Sequence, residues 1–129
     1  MNKVLLVDDH PVYRRGMASL IEAEPDLQLC GEADSVPEAQ RLLEALQPDV
    51  LVVDLNLSEG NGLQLIKSVR AQDNPAPILV ISMYAESLFA ERAIRAGANG
   101  YLNKGEAVTN IINAIRHVLR GKLYVSAEM

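Results

Sequence analysis

Three short runs of unbroken apolar residues, each halted by a polar one, constrain this chain more than any other feature. They are Val4-Leu5-Leu6-Val7 before Asp8-Asp9, Val50-Leu51-Val52-Val53 before Asp54, and Ile78-Leu79-Val80-Ile81 before Ser82. Four consecutive apolar residues suit a strand covered on both faces, which is the condition inside a parallel sheet. Asp is a poor strand residue, and its place where a strand leaves the core needs a reason beyond packing. In open α/β sheets that edge is also where ligands bind.

The segments between these runs read as helices. Pro11 is suited to a first helical position, and Val12, Gly16, Leu20 and Ala23 recur at helical spacing, flanked by Tyr13, Met17 and Ile21. Leu27 to Gly31 alternates like a strand with one wetter face, and Cys30 within it reads as a small buried hydrophobe. Ser35-Val36-Pro37-Glu38 forms a capping box ahead of a helix that ends near Gln47. Leu63, Leu65, Ile66 and Val69 predict a helix after Gly62, broken by Pro75 and Pro77. Ala90, Ala93, Ile94 and Gly97 mark another. Tyr101-Leu102 is a short fifth strand ending at Asn103-Lys104, and Gly121 is a stop for the last helix. The pattern is a strand and a helix repeated five times, which predicts a doubly wound parallel sheet with helices on both faces.

Such a sheet gathers Asp8, Asp9, Asp54, Ser82 and Lys104 on one edge. Converging carboxylates repel, and proteins relieve the repulsion by protonation or by binding a cation. An all-oxygen site with few carboxylates suits Mg²⁺. Lys104 adds a compact positive charge and Ser82 a hydroxyl, so the set fits phosphoryl transfer to a carboxylate nucleophile. Each residue also has a plainer reading. Asp9 could cap a helix, Ser82 could close a turn, Lys104 could be a solvated charge, and His10 without a partner is weak evidence of ligation. His117, with Arg116 and Arg120, suits the C-terminal end of a helix dipole.

With 129 residues and a net charge of −5, the chain fits one domain that does not hold nucleic acid through phosphate contacts by itself. No apolar run is long enough for a membrane span, the N-terminus is unlike a signal peptide, and a single cysteine forms no internal disulfide. These features point to a cytoplasmic protein.

The acidic pair after the first strand, Asp54 followed by Gly62, the Ile78–Ser82 strand and Ala96–Lys104 occur in the order found in response-regulator receiver domains of two-component signalling. The chain resembles that family over essentially its whole length. Asp8-Asp9-His10-Pro11, Ala96–Lys104 and Gly121–Ser126 resemble the NarL/FixJ type, which carries a LuxR-type helix-turn-helix domain after the receiver. The resemblance implies a flavodoxin-like (βα)5 fold with strand order 2-1-3-4-5. Residues 1–121 would be the receiver and 122–129 the start of a linker to a C-terminal domain absent from this chain. It implies that Asp54 accepts a phosphoryl group from a cognate histidine kinase. Asp9, Asp54 and the backbone carbonyl of Asn56 would hold Mg²⁺, with Asp8 assisting through water. Lys104 and Ser82 would contact the phosphoryl oxygens, Ser82 and Tyr101 would form the switch, and Asn56 and Tyr84 would tune phosphoryl lifetime. The protein would be a signalling switch rather than an enzyme, meeting DNA only through the absent domain.

Departures from the family pattern are Ser58 where many members have Pro, the neighbouring Glu59 and Gly60, and Gly105 after Lys104. Three other readings stay open on the residues: an FMN-binding flavodoxin, disfavoured by the acidic pair beside a phosphate; an Asp-dependent phosphatase, which lacks the usual second Asp at Asn56; and a receiver-like binding module that is not phosphorylated. The last helix carries a second apolar stripe, Ala107, Ile111, Ala114 and Val118, beside Val108, Ile112, Ile115 and Leu119. Together they cover an arc of about 160°, wider than a core-facing stripe needs. The stripe reads either as deep burial or as a homodimer face, to which the first helix could contribute.

Overall fold

The computed structural model describes residues 1–57 and 60–125, and the side chains of all of these except 86 and 87. Five strands form: β1 (Asn2–Val7), β2 (Leu27–Ala33), β3 (Val50–Asp54), β4 (Ile78–Ser82) and β5 (Gly100–Asn103). They alternate with α1 (Pro11–Glu22), α2 (Val36–Leu46), α3 (Gly62–Ala71), α4 (Glu86–Ala96) and α5 (Lys104–Leu119). All strand pairs are parallel and the order is β2-β1-β3-β4-β5, as expected.

The period-2 alternation of strand side chains divides the apolar runs between two cores. Leu5, Val7, Leu51, Val53, Ile78 and Val80 pack under α2, α3 and α4. Val4, Leu6, Val50, Val52, Leu79 and Ile81 pack under α1 and α5. That two-sided burial is why these runs carry no polar positions. The bulge in the β1–β2 register lies at Cys30, since Val4 pairs with Leu29 and Leu5 with Gly31. Cys30 is half-buried rather than buried, and partial burial pushes its thiol pKa up.

Helix ends follow local chemistry. Ser35 Oγ accepts from the Glu38 N–H at 3.3 Å, but the Glu38 carboxylate turns to Arg41, so only half of the capping box forms. Gly62 must be glycine because a Cβ there would meet the Asp54 carbonyl oxygen at 2.6 Å and Leu55 Cα at 2.7 Å. That contact holds the start of α3 against the end of β3. Gly97, at φ +122°, closes α4 in a conformation that L side chains rarely adopt.

Packing decides which helix faces are inside, and it corrects the dimer-face reading of the last helix. In α1 the buried residues are Met17, Ala18 and Ile21, whereas Val12 is 88% exposed and Gly16 and Ala23 are exposed too. The flanking stripe faces the sheet, joined from the Val12 stripe by half-buried Leu20. In α5, Ala107, Ile111, Ala114 and Val118 are 0–1% exposed and belong to the α1/α5 core. They are the sheet-facing stripe and do not form a dimer face. The outward apolar residue of α5 is Val108, 60% exposed, with Ile112 and Leu119 half-buried at the margins.

The described start of the expected linker returns to the sheet. Tyr124 donates its N–H to the Asn99 carbonyl (2.9 Å) and accepts from the Tyr101 N–H (2.9 Å), adding a one-residue bridge to the β5 edge. Its ring meets His117 edge-on, with centroids 5.5 Å apart. Ser58, Glu59 and Ser126 lie outside the described residues. No described helix is long and apolar enough to cross a membrane.

Candidate functional site

The C-terminal ends of β1, β3 and β4 and the start of α5 place four polar side chains in the interior. Asp8, Asp54 and Ser82 are fully buried and Lys104 is 4% exposed. A buried charge persists only when paired, and Lys104 provides the pairing. Its Nζ lies 2.9 Å from Asp54 Oδ2 and 3.0 Å from Asp8 Oδ2. The solvated-charge reading of Lys104 is therefore overturned.

Each member is held by its surroundings. Asp54 Oδ1 accepts the Asn56 N–H at 3.0 Å, which points Oδ2 at Lys104. Burial raises the Asp54 pKa above the usual carboxylate range, partly opposed by the Asn56 N–H and Lys104. Asp8 Oδ1 accepts the His10 N–H at 2.7 Å, and its carbonyl accepts Arg14 Nη1 at 2.9 Å. Ser82 Oγ accepts the Tyr84 N–H at 3.0 Å, so the turn-forming reading holds for it. Asp9 does not cap α1. The N-cap is His10, whose side chain makes no cap bond.

The cluster is short of positive charge. Three carboxylates against one ammonium leave a net charge of −2. Oδ1 of Asp9 is buried without a hydrogen-bond partner among the described residues, while Oδ2 of Asp8 and of Asp54 share the one ammonium of Lys104. One ligand atom each from Asp8, Asp9, His10 and Asp54 lie within 4.8 Å of one another. An orphaned carboxylate oxygen beside two that share one ammonium, with two charges uncompensated, fits a small, hard divalent cation.

The residues expected to form the switch and to tune lifetime lie at the neighbouring ends of β3, β4 and β5. Tyr101 is 2% exposed, and its hydroxyl donates to the Tyr84 carbonyl at 2.8 Å. Asn103 Nδ2 reaches the same carbonyl at 3.2 Å. Tyr84 packs on Phe89 with ring centroids 4.6 Å apart and lines a hollow of about 220 Å³ with Leu55, Asn56, Asn61 and Leu63.

Two supports escaped the reading of the sequence. Tyr13 donates to the Lys104 carbonyl (3.2 Å) and sets its ring 4.4 Å from Lys104 Nζ. Its phenol is pushed up to about 12, first by burial and then by Asp8 and Asp54. Arg70 donates twice to the Gly97 carbonyl and once each to the Asn74 and Ala76 carbonyls and Asn99 Oδ1. Asn99 Oδ1 also accepts the Ile78 N–H, so Arg70 ties the end of α3 to the start of β4 and the α4–β5 turn. Tyr13 had one available signal, its place in the first turn after Asp8-Asp9; Arg70 had none.

A buried carboxylate beside an ammonium and an acid pair has the chemistry to act as a nucleophile toward an electrophile rich in anionic oxygen. The family model of the response regulator receiver domain matches residues 4–116. The DNA-binding transcriptional activator DevR/DosR of Mycobacterium tuberculosis is 38% identical over 122 residues, 95% of this chain and 56% of that protein. The nitrate/nitrite response regulator protein NarL of Escherichia coli K12 is 32% identical over 98% of this chain and 58% of its own length. This chain thus spans under three fifths of both relatives. Among solved structures, a LuxR-family response regulator from Aurantimonas sp. SI85-9A1 superposes with a TM-score of 0.92 at 36% identity, covering 99% of this chain and 91% of that one. The signal receiver domain of the putative response regulator NarL from Mycobacterium tuberculosis gives a TM-score of 0.88 at 30% identity, over 94% and 98%. Fold, strand-end chemistry and relatives agree: this chain belongs to the response regulator receiver domain family.

Proposed function

We propose that the chain is the phospho-accepting switch of a two-component pathway. Asp54 takes a phosphoryl group from the phosphohistidine of a cognate kinase. Its Oδ2 lone pair forms the new P–O bond while the P–N bond breaks, and the departing imidazole keeps the electron pair. The observation that carries this reading is Asp54 Oδ2, buried at the end of β3 and 2.9 Å from Lys104 Nζ. Asp9, Asp54 and the Asn56 carbonyl would hold Mg²⁺, with Asp8 acting through water. When bound, the ion neutralises charge on the transferred group. Lys104 neutralises a second oxygen. Ser82 Oγ exchanges the Tyr84 N–H for a phosphoryl oxygen, and Tyr101 follows through its bond to the Tyr84 carbonyl. Asn56 and Tyr84, at the mouth, tune the lifetime.

Output belongs to a longer protein. The DNA-binding relative is nearly twice as long as its matched region, so DNA contact is assigned to a domain outside this chain. We place the switch in the cytoplasm with its kinase. Phosphorylation would strengthen a homodimer using the outward side of α5 around Val108, with α1 beside it. Sedimentation showing only monomer, with and without a phosphoryl mimic, counts against the dimer.

The deciding experiment is intact mass after incubation with Mg²⁺ and acetyl phosphate. One added phosphoryl group, lost in Asp54→Asn and prevented by a chelator, supports the reading. No adduct, with beryllofluoride also leaving the protein unperturbed, assigns it to a binding module that works without phosphorylation.

A further inference from the structure

His10 has no task in the function above, yet it sits inside the strand-end cluster. Its Nδ1 is 3.2 Å from Asp8 Oδ1, 3.3 Å from Asp9 Oδ1 and 3.6 Å from Asp54 Oδ2. It is also 3.1 Å from Lys104 Nζ. An ammonium only donates and a carboxylate only accepts, so Nδ1 stands where either a proton or a lone pair is served. The side chain is 56% exposed, which leaves the ring free to turn while Nδ1 faces inward.

The ligand atoms of Asp8, Asp9, His10 and Asp54 already lie within 4.8 Å of one another. Metal–ligand bonds of about 2.0–2.2 Å separate the ligands of one ion by roughly 3–4.4 Å, so shifts of a few tenths of an ångström complete the set. Asp9 Oδ1 is buried without a hydrogen-bond partner among the described residues, and Oδ2 of Asp8 and of Asp54 share a single ammonium, that of Lys104. Three carboxylates around one ammonium leave the donor set short of positive charge.

We propose that His10 is a nitrogen ligand of the divalent-cation site, giving it a preference for transition ions over Mg²⁺. This rests on the cation reading of the site. Mg²⁺ takes oxygen ligands and gains little from imidazole, whereas Mn²⁺, Co²⁺ and Zn²⁺ accept it readily. A His that only forms ion pairs with its acidic neighbours would leave the preference at what the carboxylates alone give.

The test titrates the whole chain with Co²⁺ and with Mg²⁺, in wild type, His10→Asn and His10→Ala. The side chain of His10 makes no cap bond, so both variants retain the start of α1. The chain has two histidines, and His117 is 13 residues along α5 from Lys104, roughly 20 Å away at helical rise. It serves as the internal control. The expected result is a contact-shifted, exchangeable imidazole N–H proton from His10 with Co²⁺ bound, absent from both variants, and an unshifted His117. The ratio of Co²⁺ to Mg²⁺ affinity should fall about tenfold or more in the variants. Co²⁺ binding without a ligated-imidazole signal, and with a ratio that changes less than about twofold, would overturn the proposal. Failure of wild type to bind either ion would instead overturn the cation reading, and the inference with it.

Discussion

Lys104→Met removes the ammonium from between Asp8 and Asp54 and leaves a side chain of similar length. Nζ stands 2.9 Å from Asp54 Oδ2 and 3.0 Å from Asp8 Oδ2. At an effective dielectric near 20, each contact is worth about 5–6 kcal/mol of attraction. Desolvation of the buried ammonium, several kcal/mol, offsets part of that. The variant also exposes the two carboxylates to each other without a counter-charge. Removing one member of such a buried pair typically costs about 3–5 kcal/mol, and that is the expected loss in urea denaturation at pH 7 without divalent ions. In the Asp54→Asn background one of the two carboxylates is neutral, so the same substitution should cost at least about 2 kcal/mol less. Saturating Mg²⁺ should narrow the gap between wild type and Lys104→Met, because the ion replaces the lost charge. A cost below about 1 kcal/mol, or equal costs in the two backgrounds, would refute the account of Lys104 as the neutralising partner.

Asp54→Asn should unfold at a higher temperature than wild type at pH 7 without divalent ions, because burial raises the Asp54 pKa and makes its ionised form costly in the folded state. A raised folded pKa means that the wild-type carboxyl contributes stability below its unfolded value of 3.8 and loses it as pH rises through the folded value, so the advantage of the variant should vanish in acid. Arg70→Ala strips a charged donor from five hydrogen bonds and should cost at least about 3 kcal/mol in denaturant melts, with Arg70→Lys recovering less than half because an ammonium cannot span the fork. Tyr101→Phe should lose about 0.5–1.5 kcal/mol with the bond to the Tyr84 carbonyl. Tyr101→Ala should still be phosphorylated at Asp54 by acetyl phosphate but show a weaker response to it in dimerisation; loss of phosphorylation would contradict the proposed switch role.

The sequence by itself determined the sheet, the helices and the edge where chemistry gathers. Runs such as Val50–Val53 cannot sit anywhere but between two helical layers, because an unrelieved apolar strand must be covered on both sides. Asp8, Asp9, Asp54, Ser82 and Lys104 were legible for the same reason: each ends an element whose direction the parallel topology fixes. Which face of a helix is inside was not always legible. Val12 and Met17 both sit at helical spacing, as do Val108 and Ala107, and hydrophobicity does not rank them. The packing decided, putting small Ala107 and Ala114 against the sheet and leaving larger Val12 and Val108 outside. Tertiary structure alone brought Arg70 to Gly97 and Asn99, Tyr13 to Lys104, and Tyr124 to β5. These are single side chains or one-residue bridges across long sequence separations, so they leave no periodicity to read. The pairing of Lys104 with Asp54 and Asp8 has the same origin: a lone Lys after a short strand looks solvated until the sheet closes over it and leaves the carboxylates as its partners.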